Sequence, residues 1–184
     1  QTAMQRVLLT GAAGSIGTFL RRELAGVYLE LVLADVRPIT DLGPSETFLP
    51  LDITDTSAFH AACEGVDGIL HFAGQAGENT WDDIRAKNID GAINLFEAAR
   101  HQGVKRVCFA TSNHAVGYYP RDQRIGIDLK VQPDSRYGVS KAFGEAIGAM
   151  YAMKYGLGVF MMRIGNVSET PADKRRLSIW LNPR

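Results

Sequence analysis

A tyrosine followed four residues later by a lysine is the feature of this 184-residue chain that points most directly to chemistry. Tyr137 is the only one of the six tyrosines with a lysine, Lys141, at that spacing, which on a helix puts both side chains on one face. A phenol with a pKa of about 10 is a poor base at neutral pH, and a nearby ammonium lowers that pKa by favouring the phenolate. The pair therefore predicts a general base for a hydroxyl proton, with an ordinary pair of surface residues as the alternative.

A run of glycines near the N-terminus indicates what would lie beside that base. The run follows the apolar segment 7–10 and opens a helical pattern. In such a turn the first glycine permits a tight bend, the second lets backbone N–H groups approach a pyrophosphate, and the third lets the helix pack on the strand. We predict that the following residues of this turn bind a dinucleotide: Gly11, Gly14, Ser15, Ile16 and Gly17.

The acidic residue at the end of the second apolar strand bears on which dinucleotide binds. Asp35 can accept hydrogen bonds from both hydroxyls of the adenosine ribose. A carboxylate near a 2′-phosphate is repelled by about 1–4 kcal/mol at surface-like dielectric, so NAD is predicted rather than NADP. Arg37 could partly compensate a phosphate, which keeps NADP as the alternative.

Residues after the third and fourth strands complete the predicted cofactor site. Asp52 and Ile53 are expected to face the adenine. Phe72, Ala73 and Gly74 are expected to line the cofactor at the carboxyl edge of the sheet, where doubly wound folds bind their ligands.

The segment TSNHAVGYYP, residues 111–120, turns abruptly polar after an apolar strand. Ser112, Asn113 and His114 could simply cap the strand end, and the His114 ring could satisfy a loop carbonyl. At the carboxyl edge of a doubly wound sheet, however, side chains in this place meet the ligand. We therefore predict that Ser112, the residue that ends this strand, belongs to the site.

Apolar segments of strand length alternate with segments of helical periodicity, a pattern typical of α/β proteins with a parallel sheet and helices on both faces. The predicted strands are 7–10, 29–34, 47–51, 68–73, 104–110 and 158–164. The predicted helices are 15–25, one that carries Phe59, Ala62 and Cys63, 80–101 and 135–155. We predict one domain over residues 1–184, a doubly wound Rossmann-type fold, in which 167–184 begin a substrate-binding segment whose remainder is not covered.

Composition excludes several classes of protein. With 46% apolar and 22% charged residues, the chain has the profile of a globular domain. Twenty basic residues balance twenty acidic ones, so no nucleic-acid partner is expected. No apolar stretch is long enough to span a bilayer, and no secretory leader precedes the first strand, so we expect no membrane partner and a cytoplasmic location. Gln1 to Ala3 are expected to be a cloning remnant or a renumbered start.

The remaining residues with metal-binding or redox chemistry are expected to be structural. Cys63 and Cys108 lack CxxC spacing and are predicted to be free, buried thiols. His71 lies within an apolar strand and is predicted to pack in the core. No histidine and carboxylate cluster has ligand spacing, so no metal is predicted.

Taken in order along the chain, these motifs resemble the short-chain dehydrogenase/reductase superfamily, and specifically its extended, epimerase-like branch. The matching segments are the glycine turn 11–17, Asp35, the helix segment 88–99, Ser112 and the motif 137–141. The resemblance implies a catalytic group formed by Ser112, Tyr137 and Lys141, of which Tyr137 and Lys141 also contact the cofactor. It further implies that Asn88 supports the lysine beside the cofactor, and that Ile164 lines the cofactor.

A narrower resemblance, to the uronate dehydrogenases, is carried by residues 112–120 and 163–165. It implies NAD-dependent oxidation of the anomeric carbon of cyclic glucuronate or galacturonate to a lactone. Ser112 and Tyr137 would contact the reacting oxygen, and Asn113 and His114 would hold sugar hydroxyls. Arg175 would bind the substrate carboxylate, which the guanidinium fork suits.

Two positions depart from that narrower pattern. Ala76 and Asn166 stand where uronate dehydrogenases usually have serines. Both residues are expected to line the sugar pocket, and an unpaired polar group there can shift discrimination by about 1–3 kcal/mol. The choice among glucuronate, galacturonate and other aldoses is therefore left open.

Two other functions are compatible with the same cofactor motifs. A nucleotide-sugar epimerase or dehydratase uses the same tyrosine and lysine but retains its NAD. An NAD-binding regulatory protein would be expected to lack catalytic residues, and all three are present. Members of this branch often pair through their long helices, so a homo-oligomer is expected to form through residues 80–101 and 135–155.

Overall fold

The computed structural model describes residues 4–183, except for the side chains of Arg175 and Ser178. Its central strands are β1 (Arg6–Thr10), β2 (Glu30–Asp35), β3 (Glu46–Pro50), β4 (Gly68–His71), β5 (Arg106–Ser112) and β6 (Gly158–Ile164). They form one parallel sheet in the order β3-β2-β1-β4-β5-β6. The chain winds outward in both directions from the neighbouring strands β1 and β4, which is the doubly wound arrangement that the sequence predicts.

Helices connect the strands. They are α1 (Ser15–Glu23), α2 (Thr56–Ala62), α3 (Trp81–Ile84), α4 (Gly91–His101) and α5 (Arg136–Tyr155), with a π-helical turn (Arg85–Asp90) between α3 and α4. Short 3₁₀ turns follow β5 (Asn113–Val116) and precede the end of the chain (Lys174–Ile179), where β7 (Asn166–Val167) pairs with β8 (Trp180–Leu181). The strand and helix ends predicted from sequence lie within two residues of these bounds.

Two apolar layers cover the faces of the sheet. Phe59 of α2 and Phe96 of α4 are fully buried in the larger layer, which also contains residues of α5. The smaller layer packs α1 against alternate residues of β1 and β2, such as Leu9 and Leu33. Cover on two faces explains why these strands have nearly continuous apolar sequences. The α1 face is less protected toward β6, where Phe160 is 65% exposed.

His71 and Cys63 are buried as predicted, whereas Cys108 is only partly buried. His71 is buried, stacks on Phe109 with ring centroids 5.5 Å apart, and shares a 2.8 Å hydrogen bond between its Nδ1 and Thr10 Oγ1. Cys63 and Cys108 are both free, and burial raises the pKa of Cys63 to about 12. Within residues 4–183, no helix is both long and apolar enough to cross a membrane.

The helix predicted over residues 80–101 differs from a regular α-helix. Its π-helical turn contains Asn88, which is buried. The Asn88 amide donates 3.0 Å hydrogen bonds to the Gln75 carbonyl and to Ser140 Oγ. A π turn takes one more residue than an α turn, and such turns occur often at functional sites. Residues 85–90 contain no glycine or proline that would reveal it in the sequence.

Candidate active site

A cavity of about 890 Å³ lies along the carboxyl ends of the strands. Every residue predicted to touch cofactor or substrate contributes to its wall, apart from Asn88 and Arg175. Asn88 lies behind the wall, and the side chain of Arg175 is outside the described part of the chain. The wall also contains residues for which no contact is predicted from the sequence: Val36, Leu51, Gln75, Gly77, Lys87, Ala110, Thr111, Gly165 and Ile179.

The turn between β1 and α1 has room for a ligand to approach its backbone closely. Gly11 has φ +70, and a Cβ on it would lie 2.6 Å from the Phe72 carbonyl carbon. A Cβ on Gly17 would lie 2.2 Å from the Gly11 oxygen, so larger residues are excluded at both positions. Gly14 caps α1 without a side-chain hydrogen bond, which leaves first-turn N–H groups for an anion. The turn therefore fits the pyrophosphate of a dinucleotide.

Asp35 is held beside this turn at the end of β2. Its Oδ2 accepts a hydrogen bond from the Ala13 N–H at 3.0 Å, and its Oδ1 accepts one from the Arg37 N–H at 2.9 Å. Each carboxylate oxygen can accept more than one hydrogen bond, so both remain able to bind ribose hydroxyls. The Arg37 Nε lies 3.5 Å from Asp35 Oδ1, and its exposed side chain already pairs with the carboxylate. These residues fit NAD.

The three predicted catalytic side chains come together at the ends of β5 and α5. Ser112 is the last residue of β5, and its Oγ accepts a 3.1 Å hydrogen bond from the His114 N–H. Tyr137 lies in the first turn of α5. Lys141 follows one turn later, where its Nζ donates a 2.9 Å hydrogen bond to the Ala110 carbonyl and lies 5.4 Å from the Tyr137 ring centroid.

Burial has the largest effect on the pKa values of Tyr137 and Lys141. It raises the pKa of Tyr137, against a hydrogen bond with Ser112 that lowers it. Burial also lowers the pKa of Lys141 to about 8. The expected lowering of the tyrosine pKa by Lys141 is thus wrong in net direction, because desolvation of the phenolate outweighs the favourable contacts. Burial, and to a smaller extent the charge of Lys141, lower the pKa of His71 to about 3.

Asn88 supports the lysine only indirectly. Its Oδ1 accepts a 2.8 Å hydrogen bond from the Gln75 N–H, and its amide reaches Ser140, the neighbour of Lys141 in α5. Ser140 Oγ in turn donates a 2.7 Å hydrogen bond to the Tyr137 carbonyl. Because the amide is taken up by these partners, Asn88 links the β4 loop to α5 from outside the cavity wall.

A glutamate that sequence reasoning missed forms a second link. Glu78 lies in the loop after β4, and its Oε2 accepts a 3.0 Å hydrogen bond from the Tyr137 N–H. Its other oxygen pairs with Arg136 at 3.0 Å. The loop that carries Ala76 is therefore fixed to the helix turn that carries the tyrosine. No motif marks Glu78, since its partners are more than fifty residues away.

The sugar side of the cavity holds the other predicted contacts. Asn113 and His114 occupy the 3₁₀ turn after β5, and Ala76 and Asn166 lie in the same cavity wall. The His114 ring meets the Tyr137 ring edge to face with centroids 5.7 Å apart. A second missed residue, Asp134, contacts the His114 imidazole at 2.9 Å.

Comparison with known proteins agrees with this geometry. The sequence pattern of the NAD dependent epimerase/dehydratase family matches residues 7–178. The uronate dehydrogenase of Pseudomonas putida is 42% identical over 182 residues, which cover 98% of this chain and 68% of that protein. The glucuronic acid dehydrogenase structure from Chromohalobacter salexigens has a TM-score of 0.95 at 39% identity, covering 98% of this chain and 68% of its own.

A third comparison brings in the cofactor. A mutant uronate dehydrogenase from Agrobacterium tumefaciens, solved in complex with NAD, has a TM-score of 0.93 at 43% identity over 97% of this chain and 67% of its own. The chain thus spans about two thirds of the length of these relatives. The family match includes the glycine turn, Asp35 and the Ser112, Tyr137 and Lys141 group. This chain belongs to the NAD-dependent epimerase/dehydratase family.

Proposed function

We propose that this protein oxidises the anomeric carbon of a cyclic uronic acid to a lactone, with NAD as the hydride acceptor. One observation carries the proposal. The Ser112, Tyr137 and Lys141 group shares a single cavity with Asn113 and His114, beside a turn that fits a dinucleotide. The uronate dehydrogenases among the relatives support the substrate class.

In the proposed mechanism, Tyr137 as phenolate takes the proton of the anomeric hydroxyl. Ser112 donates a hydrogen bond that orients the reacting oxygen and favours the phenolate. Lys141, fixed by the Ala110 carbonyl, places its positive charge beside the same ring. NAD, when bound, accepts the hydride that leaves the anomeric carbon.

The substrate contacts are part of the same proposal. Asn113 and His114 hold ring hydroxyls of the sugar, and Arg175 holds its carboxylate. Ala76 and Asn166, which line the cavity, replace the serines that uronate dehydrogenases usually have, and each change alters the hydrogen-bonding groups of the pocket. We infer that these two residues set the preference between glucuronate and galacturonate. Residues 167–184, in this view, begin the segment that closes the sugar pocket.

The rival function on this scaffold is a nucleotide-sugar epimerase or dehydratase, which returns the hydride to its substrate. A direct test is a panel of free sugars, free uronic acids and nucleotide sugars, assayed with NAD and with NADP by the absorbance of the reduced nicotinamide. We expect steady NADH formation with a free uronic acid. Conversion of a nucleotide sugar without net NADH would support the rival and contradict the proposal.

Assembly and location complete the proposal. We propose a homodimer formed through α4 and α5, because apolar side chains on these helices face outward. Ile93 is 39% exposed, Met150 42% and Met153 89%.

We also propose a cytoplasmic location, supported by the two unpaired cysteines.

A further inference from the structure

We propose that Asp134 is a positioning residue that holds the proton of His114 on Nδ1, so that the unprotonated Nε2 accepts a hydrogen bond from a substrate hydroxyl. The inference rests on the proposed function for the identity of the ligand, but the state of the imidazole does not depend on it. It also predicts the orientation of the bound sugar, in which a hydroxyl group and not the carboxylate faces His114.

The contact between the two side chains is close and involves both carboxylate oxygens. His114 Nδ1 lies 2.9 Å from Asp134 Oδ1 and 3.1 Å from Oδ2. An ionised carboxylate can only accept hydrogen bonds, so the shared proton must be on Nδ1. In a neutral imidazole the other nitrogen, Nε2, is then an acceptor.

The backbone holds the same pair together. The Asp134 N–H donates to the His114 carbonyl at 3.4 Å, and the Gln132 N–H donates to the Ala115 carbonyl at 2.9 Å. These bonds fix the segment before α5 alongside the 3₁₀ turn that follows β5. Backbone hydrogen bonds therefore hold Asp134 beside His114, in addition to the contact between the two side chains.

The aspartate is also tied to the helix that carries the tyrosine. Ser135 caps α5 by accepting a 2.9 Å hydrogen bond from the Gly138 N–H, and its hydroxyl donates to Asp134 Oδ1 at 2.9 Å. Space for the carboxylate is kept by Gly117, where a Cβ would lie 2.1 Å from Asp134 Oδ2. The cap, the aspartate and the imidazole form one connected unit.

The His114 ring is the part of this unit that lines the cavity. His114 lines the cavity, its side chain is 45% exposed, and its ring meets the Tyr137 ring edge to face. Among the described residues, its Nε2 has no hydrogen-bond partner, so this nitrogen is left for a ligand. An acceptor nitrogen suits a hydroxyl proton and repels a carboxylate oxygen. The Asp134 charge behind the ring disfavours a carboxylate there as well.

Histidine-selective ¹⁵N NMR of the wild-type protein at pH 8.5 tests the proton position without any activity measurement. The His114 signals are assigned with His114→Gln. We expect His114 to carry its proton on Nδ1, and we expect Asp134→Asn, whose amide can donate to Nδ1, to move protons to Nε2. Asp128→Asn, in the exposed part of the same segment, is the charge-matched control and leaves the signals in place. A wild-type His114 protonated on Nε2 overturns the proposal whether or not the enzyme turns over uronic acids.

Kinetics test the link to the substrate. We expect Asp134→Asn to raise the KM for the uronic acid about tenfold, the cost of one weakened hydrogen bond, with little change in the KM for NAD. In a His114→Gln background the same change should have no further effect, because Asp134 acts through the imidazole. Additive losses, or an equal rise of both KM values, would overturn the proposal.

Discussion

Tyr137 and Lys141 are both held in surroundings that favour their neutral forms. Burial raises the pKa of the phenol and lowers that of the amine to about 8. The hydrogen bond with Ser112 opposes this effect at the tyrosine. At the scale of single residues, the reactivity of the site therefore depends on the few polar contacts that stabilise the phenolate against burial.

Replacing Ser112 with alanine tests that dependence. The change removes the contact that lowers the tyrosine pKa, so the alkaline rise of kcat/KM should move to higher pH. At pH 7 we expect kcat/KM to fall at least about tenfold, the cost of one hydrogen bond to a charged group. Ser112→Thr, which keeps the hydroxyl, should retain the wild-type profile. An unchanged profile in Ser112→Ala would show that the serine does not contact the phenol.

The buried lysine should reduce stability. A pKa lowered from 10.5 to about 8 corresponds to a burial cost of about 3 kcal/mol. Since Lys141→Met also removes the hydrogen bond to Ala110, we expect a net gain of about 1–2 kcal/mol in the free energy of unfolding at pH 7. The folded pKa lies below the unfolded one, so the cost is present below pH 8 and disappears as pH rises toward 10.5.

Urea unfolding at pH 7 and pH 10 measures this effect. The gain from Lys141→Met should shrink at the higher pH. Lys154→Met, on the exposed side of the same helix, is the control and should change little at either pH. A destabilised Lys141→Met at neutral pH would contradict the assignment of the lysine as a buried charge.

At the scale of elements, the site depends on how the β4 loop is joined to α5. Asn88 and Glu78 each bond one side of this junction to the other. The junction holds the loop that carries Ala76 against the helix turn that carries Tyr137. It also explains why a π-helical turn interrupts the helix: the turn contains the asparagine that links Gln75 to Ser140.

Replacing Asn88 with alanine should loosen this junction. The variant leaves the Gln75 backbone groups and Ser140 without their buried partner, so we expect a loss of about 2–3 kcal/mol in the free energy of unfolding. Urea unfolding measures it, with the exposed Gln123→Ala as control, expected to stay within about 0.5 kcal/mol of wild type. A loss as small as that of the control would contradict the role of Asn88 as a link.

The sequence predicted elements and motifs well because their signals are local. The glycine turn follows its strand directly, and Tyr137 and Lys141 are one helical turn apart. Glu78 and Asp134 were missed because each acts on a partner that is distant in the chain and neither belongs to a motif. The predicted lowering of the Tyr137 pKa was wrong because the net shift depends on burial. Burial is set by packing of the whole fold and not by the neighbouring lysine alone.

At the scale of the whole molecule, the outer surface of α4 and α5 bears on assembly. The helices α4 and α5 present outward apolar side chains, of which Met153 is the most exposed. We expect Met153→Glu to lower the proportion of dimer and to leave the fold intact, because the side chain makes few contacts within one chain. Val27→Glu, beyond α1, is the control and should not change the mass. Sedimentation equilibrium gives the mass, and a Met153→Glu protein that still sediments as a dimer would contradict this interface.

The central claim is that the Tyr137 phenol removes the anomeric hydroxyl proton of a uronic acid while NAD is reduced. The most direct test is to measure NADH formation from free uronic acids with the wild type and with Tyr137→Phe, together with NAD affinity by calorimetry. We predict steady NADH formation by the wild type, and a loss of at least about a thousandfold in Tyr137→Phe with NAD affinity within about twofold. Full activity in Tyr137→Phe would contradict the account.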